Sequence, residues 1–255
     1  MNKAKMTTTN TTDLQSRANK LRLYGLLEEW DRLGHEAWVA ELIALEERVR
    51  ARRSQEYRIR RADIGAFKGM LDFDWKHPKK IDRRLVDELL TLDFIREGLN
   101  VVLLGPNGVG KTMIAQNLAY AAVLAGHATR FTVASDMLND LTGHNGTMLK
   151  RKLKPYVNAS LLVVDEVGYL RYDNRHADLL YEVIRQRYDR RRSVIVSTNK
   201  PFAEWNTAFD SAACLVTLID RLCHRAEIVE IVGDSYRVRE AKARRSSRGR
   251  AQDDG

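Results

Sequence analysis

The chain has 255 residues, of which 44% are hydrophobic and 30% charged, and its 43 Lys and Arg against 34 Asp and Glu give a formal net charge of +9. This composition excludes wholesale disorder, because enough apolar side chains are present to bury a core. No stretch approaches the roughly 18 uncharged apolar residues of a membrane-spanning helix, and the N-terminal residues lack the apolar segment of a secretory signal. We therefore expect a cytoplasmic protein with no membrane partner.

The positive charge is concentrated at the two ends of the chain. Residues 1–68, 69–236 and 237–255 carry net charges of +4, +1 and +4. The densest run lies between positions 48 and 61, where seven arginines stand against a single glutamate. Such a run is either a solvated helix face or a surface for nucleic acid, and arginine favours the second because its guanidinium pairs with phosphate oxygens in a bidentate way. The seven are Arg48, Arg50, Arg52, Arg53, Arg58, Arg60 and Arg61.

From Asp13 to about Asp63 apolar residues recur three and four positions apart, which is typical of amphipathic helices, and the pattern breaks near Gly34. We expect a disordered tail over residues 1–12 and a small helical N-terminal domain over residues 13–68, for assembly or DNA binding. Because so short a segment buries little by itself, it should pack on the main domain or on another subunit. The recurring residues are Leu23, Leu26, Leu27, Trp30, Leu33, Trp38, Leu42, Leu45 and Val49.

Residues 69–241 alternate short apolar runs with helical patterns. A loop from Gly69 to Pro78 precedes a helix over residues 81–97. Five strands then begin near positions 101, 129, 161, 194 and 228, separated by segments long enough for helices. This alternation predicts an α/β fold with a five-stranded parallel sheet covered on both faces. Residues 242–255 are basic and lack apolar periodicity, so a disordered tail is expected there.

The first strand runs directly into the sequence GPNGVGKT, which a helical pattern follows. This is G-x-x-x-x-G-K-T in the strand, loop and helix context of a phosphate-binding loop. Its glycines let backbone N–H groups turn inward round the phosphates, and the helix amino terminus favours negative charge. The loop is therefore predicted to bind ATP, with Lys111 reaching the β- and γ-phosphates and the Thr112 hydroxyl ligating Mg²⁺. The predicted binding residues are Gly105, Pro106, Asn107, Gly108, Val109, Gly110, Lys111 and Thr112.

The third strand ends in two acids, Asp165 and Glu166. A buried strand can end in this way only if something neutralises the charge. We predict that Asp165 holds Mg²⁺, directly or through water, and that Glu166 polarises the attacking water. The fourth strand ends in Ser197-Thr198-Asn199, and Asn199 would orient that water against the γ-phosphate. The alternatives are a strand end that merely meets solvent and an ordinary polar turn.

The order and spacing of these motifs resemble the AAA+ ATPases, specifically the IstB-like transposition helpers and the DnaC-like helicase loaders, over roughly residues 14–242. Together the motifs look closer to IstB. Met113 departs from the His usually found after the loop Thr, which should not affect the chemistry. The motifs are Phe73-Asp74-Trp75, Leu92 to Ile95 leading to Asn100 to Gly105, Val164 to Leu170, Ser197 to Phe202 with Trp205, Ile219 to Leu222, and Gly233 to Arg237.

This resemblance implies an ATP- and Mg²⁺-dependent homo-oligomer in which a neighbouring subunit completes each ATP site. Arg221 matches the family's arginine finger, and Arg237 matches an element that would sense the nucleotide. Asp74 and Trp75 would lie near the adenine. IstB-like proteins also bind and bend duplex DNA and present it to a partner transposase, which implies a cytoplasmic protein associated with the nucleoid.

The basic clusters are then candidate contacts to DNA phosphates, and binding should be largely independent of sequence because the chain contains no base-reading motif. One further cluster follows the loop from Gly143 to Gly146, and another precedes the fourth strand. These clusters comprise Lys150, Arg151, Lys152 and Lys154, and Arg187 with Arg190, Arg191 and Arg192.

Three other functions stay open. A DnaC-like helicase loader shares every ATPase residue and differs in its partner, although the arginine run favours direct DNA contact. A P-loop kinase for a small molecule has less use for Glu166, Asn199 and Arg221, which suit water activation and a shared site. A third candidate is a binding protein that uses the nucleotide only as a structural switch.

Overall fold

The computed structural model of the chain describes residues 12–210, 212–242 and 244. The tails predicted over residues 1–12 and 242–255 fall outside the described residues except for positions 12, 242 and 244, which are helical. The chain divides into two compact units, Met1–Tyr57 and Arg58–Gly255. The domain boundary predicted at residue 68 stays a prediction.

The first unit is helical. Its core contains Ala18, Leu21, Trp30, Val39 and Ile43. A bidentate pair reinforces it, because Arg17 Nε and Nη2 donate to the two carboxylate oxygens of Glu47 over 2.9 and 2.7 Å. The helices are α1 over residues 12–20, α2 (Tyr24–Glu28), α3 (Trp30–Leu33) and α4 (Ala37–Ala62), the last of which continues past the unit's end.

The break predicted near Gly34 is confirmed, since α3 ends at Leu33 with Gly34 as its C-cap. The predicted apolar face is wrong at two positions, because Trp38 and Leu45 are 46% and 50% exposed. Val39 and Ile43 are the residues of α4 that enter the core. Because successive residues of a helix are rotated by about 100°, Trp38 and Leu45 lie off the apolar stripe of Val39 and Ile43 and face solvent.

The second unit alternates strands and helices. None of the described helices is both long enough and apolar enough to cross a lipid bilayer. The strands are β1 (Asn100–Leu104), β2 (Thr129–Val133), β3 (Leu161–Val167), β4 (Ser193–Thr198) and β5 (Ala226–Glu230). After α4, the helices are α5 (Arg83–Leu89), α6 (Asp93–Glu97), α7 (Lys111–Leu124), α8 (Ala134–Thr142), α9 (Gly146–Asn158), α10 (Asn174–Asp189), α11 (Trp205–Ala208), α12 (Leu215–Cys223) and α13 over residues 236–242.

The five strands form one parallel sheet in the order β2-β3-β4-β1-β5. All five lie where the apolar runs predict them, so the predicted parallel sheet is confirmed. Alternate residues of a strand face opposite sides. Val101 and Leu103 accordingly join a core that also contains residues of α5, α6 and α7. Val102 joins the other core, with residues of α8, α9, α10 and α12.

The single helix predicted over residues 81–97 is wrong. Two short helices, α5 and α6, are separated at Leu92, whose φ of 68° is left-handed. The apolar periodicity continues across this break because Leu89, Leu92 and Phe94 are all buried in one core. Burial of these side chains overrides the helical continuity that their spacing suggests.

Candidate nucleotide-binding site

A cleft of about 500 Å³ opens where β1, β3 and β4 end. Three predicted residues are bonded to side chains that line it. Lys111 donates to the backbone oxygens of Gly105 and Pro106, and Thr112 donates to the carboxylate of Asp165. Predicted residues that line it directly are Asn107, Gly108, Val109, Gly110, Lys111, Thr112, Glu166, Asn199 and Arg237. The structure therefore brings the predicted phosphate loop, acids and Asn199 to one place.

The loop after β1 has a backbone that its glycines permit. Gly105 N donates to Thr198 O over 3.2 Å, which anchors the loop to the end of β4. Gly110 has a φ of 104°, and a Cβ at this position would lie 2.5 Å from Cε2 of Phe73. Only glycine fits such a conformation and such an approach without strain. Gly110 then caps the amino end of α7.

Lys111 is held at the floor of the loop. Its side chain is only 9% exposed, and Nζ donates to Gly105 O and Pro106 O, both over 2.7 Å. Burial lowers the pKa of Lys111, while the negative charges of Asp165 and Glu166 act in the opposite direction. The loop carbonyls and the two acids thus keep a cation in a partly desolvated place.

Two hydroxyls orient Asp165, which is 3% exposed. Thr112 Oγ1 donates to Asp165 Oδ2 over 2.9 Å, and Ser197 Oγ donates to Asp165 Oδ1. The Ser197 oxygen also accepts from the backbone N of Glu166 over 3.0 Å. Ser197 therefore links both acids to β4, a role that the sequence reasoning did not assign to it. Its place at the polar end of β4, directly before Thr198 and Asn199, is the sequence feature that could have indicated this role.

A bulge in β3 places the two neighbouring acids in different surroundings, Asp165 buried and Glu166 exposed. The strand does not end at the two acids as predicted but continues to Val167, with a register shift between Val164 and Val167 relative to β4. Glu166 takes a left-handed φ of 60° and is exposed, although Asp165 beside it is buried. One extra residue in a strand re-aims the side chains beside it. Here it directs Glu166 into the cleft.

Asn199 lines the same cleft, and its Oδ1 is buried without a hydrogen-bond partner in the described part of the chain. Buried amide oxygens are nearly always bonded, so this atom indicates a site for a donor such as water. The neighbouring Thr198 instead bonds locally, with Oγ1 donating to Lys200 O and accepting from Lys200 N, both over 3.2 Å.

The donor set fits Mg²⁺ and phosphate. A hydroxyl and a carboxylate oxygen lie 2.9 Å apart in Thr112 and Asp165, and oxygen ligands are the ones that Mg²⁺ prefers. Lys111 and the backbone of the loop supply donors for phosphate oxygens. Within the same cleft, Asn199 supplies an unsatisfied acceptor.

A polar rim that sequence reasoning missed joins α13 to the loop before α5. Arg239 Nη2 donates to Asp74 Oδ2 over 2.6 Å, and Arg239 Nη1 lies 3.0 Å from His77 Nδ1. His77 Nε2 lies 2.8 Å from Asp234 O. Because arginine only donates and a carbonyl only accepts, Nδ1 of His77 accepts and Nε2 donates in this arrangement. The Arg239 guanidinium holds the pKa of Asp74 below its usual range.

The rim places the predicted adenine residues differently. Asp74 lines the cleft, but Trp75 is not among the described lining residues. Its ring packs 4.7 Å from that of Phe73 and beneath the guanidinium of Arg83 at 4.9 Å. Trp75 therefore adjoins the cleft through Phe73, which lines it, and the place of Trp75 near the adenine stays a prediction. Tyr236 N bonds Gly108 O over 2.9 Å, which brings the neighbouring Arg237 to the phosphate loop.

Arg221, the predicted arginine finger, is not among the described residues that line this cleft. It lies on α12 with its guanidinium 5.2 Å from the ring centroid of Tyr181 and 5.8 Å from that of Tyr188. Its Nη1 is buried without a hydrogen-bond partner among the described residues. Two aromatic rings therefore hold a guanidinium that lies outside the described lining of this cleft.

The predicted DNA-contacting residues occupy three elements. The arginine run lies on α4, where all but the half-buried Arg58 are exposed. Lys150, Arg151 and Lys154 are exposed on α9. The third group of exposed or half-exposed residues, at the turn between α10 and β4, comprises Arg190, Arg191 and Arg192.

Two basic residues of these clusters have structural roles. Arg187, expected to contact DNA, is fully buried, which makes that expectation wrong. Its guanidinium donates to backbone carbonyls that include Tyr156 O over 2.7 Å and Ala159 O over 2.9 Å. Lys152 is ion-paired with Asp140 over 2.6 Å, an arrangement that ties α9 to α8.

Comparison with known proteins identifies the family. A family model described as IstB-like ATP binding protein matches residues 7–244. This chain belongs to the IstB-like ATP-binding family. It is 36% identical over 171 residues to a protein described as an ATP-binding protein of insertion sequence IS5376 from Geobacillus stearothermophilus, covering 67% of this chain and 68% of the relative. A similarly described insertion-sequence protein of Mycobacterium tuberculosis is 31% identical over 244 residues, 92% of this chain and 97% of the relative.

Solved structures support the fold of the IstB-like chain. The crystal structure of DnaI is similar with a TM-score of 0.55 at 17% identity, covering 66% of this chain and 92% of that one. AMPPCP-bound DnaA from Aquifex aeolicus gives a TM-score of 0.51 at 19% identity, covering 69% of this chain and 56% of that one. The AAA+ P-loop fold predicted from the sequence is confirmed. This chain is thus an IstB-like ATP-binding protein with an AAA+ P-loop fold.

Proposed function

We propose that this protein is a Mg²⁺-dependent ATPase that assembles on duplex DNA and delivers that DNA to the transposase of its insertion sequence. The observation that carries the proposal is the convergence of Lys111, Thr112, Glu166 and Asn199 on one cleft. The first two suit phosphate and metal binding, and the last two suit the positioning of water. A site for nucleotide binding alone would have no use for the second pair.

Each residue has one task in ATP hydrolysis. Two bonds to loop carbonyls fix the Lys111 ammonium, and its third hydrogen would reach a phosphate oxygen. Glu166, aimed into the cleft by the bulge, would accept a hydrogen bond from the attacking water. Asn199 Oδ1 would accept the water's second hydrogen and so fix its orientation.

Thr112 and Asp165 would hold Mg²⁺, with Ser197 orienting the carboxylate. Mg²⁺ held by these two residues would supply positive charge that offsets the negative charge of the phosphates. Arg237 on α13 reaches the same cleft and would respond to the phosphates, because Tyr236 beside it is bonded to the phosphate loop.

We also propose that ATP sites are shared between copies of this chain. Arg221 is positioned by Tyr181 and Tyr188, yet it does not line the cleft of its own chain among the described residues. An arginine supplied by a neighbour would stabilise the charge of the transferring phosphoryl group, an effect worth roughly 10³ to 10⁵ in rate in related hydrolases.

The DNA partner is supported by exposed arginines on α4 and exposed basic residues on α9. Phosphate contacts of this kind carry no sequence information, so the assembly would bind duplex DNA largely irrespective of sequence. Relatives named for insertion sequences favour a transposase over a helicase as the protein partner. Such an assembly would act in the bacterial cytoplasm, at the nucleoid.

The test is ATP hydrolysis with and without duplex DNA, at two salt concentrations. The natural chain should hydrolyse ATP, bind DNA only with ATP and bind less tightly at the higher salt concentration. Glu166→Gln should abolish hydrolysis while ATP-dependent DNA binding persists. Glu227→Gln, which makes the same change at an exposed position of β5, serves as the matched control. DNA binding that ignores both ATP and salt would rule the proposal out.

A further inference from the structure

A second cleft, of about 250 Å³, lies at the opposite edge of the sheet. Its lining includes Asn100, the first residue of β1, and Arg192, which directly precedes β4. Since the strands are parallel, their amino ends share one edge, and the phosphate loop lies at the other. This amino-edge cleft is therefore separate from the nucleotide cleft.

Three arginines converge on the amino-edge cleft: Arg191, Arg192 and Arg225. In the part of the chain that the structure describes, no ion pair and no side-chain hydrogen bond joins any of them to another residue. Asp189 is the one carboxylate among the described lining residues, and it is already paired with Arg185 Nη1 over 3.0 Å. Like charges gathered round one cleft repel one another, and a bound anion would offset that repulsion.

Arg187 adds a further positive charge to this edge. It is fully buried, and carbonyl oxygens of Tyr156, Val157, Ala159, Ser160 and Ser193 accept its hydrogen bonds. Carbonyls satisfy the donors without cancelling the charge. Burial, together with the positive charges of Arg192 and Arg190, lowers the pKa of Arg187 to about 9, so the guanidinium stays charged at neutral pH. The excess of positive charge is thus built into the fold.

The volume of the amino-edge cleft limits the size of the ligand that it can hold. At about 250 Å³ it is smaller than the roughly 300–1,000 Å³ typical of sites for whole small molecules. Guanidinium forks match the oxygens of a phosphate group in a bidentate way.

We propose that the amino-edge cleft binds a backbone phosphate of duplex DNA through Arg191, Arg192 and Arg225. The proposal rests on the DNA-binding function proposed above and adds Arg225, which no sequence cluster contains. It also distinguishes Arg191 and Arg192, which line the cleft, from Arg190 of the same sequence cluster. Arg190 donates to Asn158 Oδ1 over 3.2 Å and to Gln186 Oε1 over 3.1 Å.

The experiment measures binding of a fluorescent DNA duplex to the full chain saturated with a non-hydrolysable ATP analogue, over a series of salt concentrations. Arg225→Gln should weaken binding at least about tenfold, as expected for loss of a charged hydrogen bond. The slope of log affinity against log salt should fall in magnitude by about 0.9, the value for one phosphate contact. Arg225→Lys should keep the slope while losing part of the affinity, because the charge remains and the fork does not.

Arg84→Gln is the matched control, since it removes one exposed arginine of α5 outside any cluster. It should change DNA affinity by less than about twofold. Melting temperatures within a few degrees of the natural chain will show that each variant is folded. An Arg225→Gln variant that binds DNA with unchanged affinity and slope overturns the proposal.

A second arm separates DNA from free anions. Inorganic phosphate is added to the analogue-saturated protein, and the melting temperature is recorded. If the natural chain fails to bind DNA at all, the function proposed above fails. Stabilisation by phosphate that Arg225→Gln removes would then assign the cleft to a free oxyanion, which overturns its assignment to DNA. Equal stabilisation of both proteins overturns an anion site of any kind here.

Discussion

Arg239 Nη2 on α13 donates to Asp74 Oδ2 over 2.6 Å and so joins two segments that line the nucleotide cleft. The same arginine stacks on Tyr236 at 4.9 Å, and Tyr236 N is bonded to the phosphate loop. One exposed ion pair therefore connects the C-terminal helix with the loop before α5. An arrangement of this kind should slow the release of bound nucleotide.

Arg239→Gln is expected to raise the dissociation rate of a fluorescent ATP analogue by about two- to fivefold, the range for an exposed pair. Stopped-flow fluorescence measures the rate. Asp74→Asn should give a similar change, and the double variant no more than either single one, because both remove one interaction. Arg32→Gln, which breaks an exposed pair with Glu29 elsewhere, is the control. Additive effects of the two rim variants would contradict the connection.

Ser197→Ala should impair catalysis more than nucleotide binding. The Ser197 hydroxyl donates to Asp165 and accepts from Glu166 N, so its loss frees both acids to move. Loss of an outer partner of a metal ligand typically costs about 10- to 100-fold in activity. The turnover of ATP should fall by that amount while ATP affinity changes by a few-fold. Ser193→Ala makes the same change at the other end of β4, where the hydroxyl donates to Phe94 O, and should leave turnover near that of the natural chain.

Lys152 and Lys150 should behave differently although they are two residues apart on α9. Lys152 is paired with Asp140 over 2.6 Å, whereas Lys150 is exposed. Lys152→Ala is expected to lower the free energy of unfolding by about 1 kcal/mol or less, since the pair is partly exposed. Lys150→Ala should leave stability unchanged and weaken DNA binding. Urea unfolding and DNA titration of both variants test this, and equal stability of the two would contradict it.

The Asp140 pair also has a predictable pH dependence. The hydrogen bond from Lys152 lowers the pKa of Asp140 from its ordinary 3.8, so the folded state favours the carboxylate. The stabilisation is therefore fully present above pH 3.8 and is lost as the pH falls through the lowered value. The stability difference between the natural chain and Asp140→Asn should shrink over that interval. A constant difference would show that the pair contributes no charge-dependent stability.

We expect Arg187 to stabilise the folded chain. Arg187→Gln should lower the free energy of unfolding by at least about 3 kcal/mol, because several buried carbonyls lose their donor. Arg190→Gln, three residues later and exposed, should change it by less than about 0.5 kcal/mol. Chemical denaturation compares the two. If Arg187→Gln unfolds at the same urea concentration as Arg190→Gln, the carbonyl bonds described here do not stabilise the chain.

These contrasts show what the sequence could and could not predict. The strands and the phosphate loop were predictable because each depends on local signals, namely an apolar run of strand length and glycines at fixed spacing. The burial of Arg187 was not predictable from local signals. Its hydrogen-bond acceptors, Tyr156 O, Ser160 O and Ser193 O, lie on or after α9 and on β4, and only the folded chain brings them together. Within the candidate site, Glu166 and Asn199 line one cleft and Asp165 is bonded to Thr112 in its lining, as the sequence suggests. The bulge between Val164 and Val167, which leaves Asp165 buried and Glu166 exposed, has no local signature.

The proposed sharing of ATP sites between chains can be tested at Arg221. Arg221→Ala and Lys111→Ala should each abolish hydrolysis, the first by roughly 10³-fold or more. In an equimolar mixture of the two, about one quarter of sites combine an intact Lys111 with an intact Arg221 from the neighbour, given a head-to-tail interface. Hydrolysis should therefore reappear on mixing. Mixtures that stay inactive would place Arg221 outside any shared site.

The tyrosines test whether Arg221 is positioned by stacking. Tyr181→Leu removes the ring 5.2 Å from the guanidinium and should slow hydrolysis several-fold without changing ATP affinity, because the arginine stabilises charge that develops in the transition state. Tyr181→Phe keeps the ring and should retain activity, which a requirement for the hydroxyl would not allow. In the mixing assay, Tyr181→Leu combined with Lys111→Ala in one chain should rescue Arg221→Ala poorly. Full rescue would mean that Arg221 reaches the neighbouring site without the aromatic support that the structure gives it.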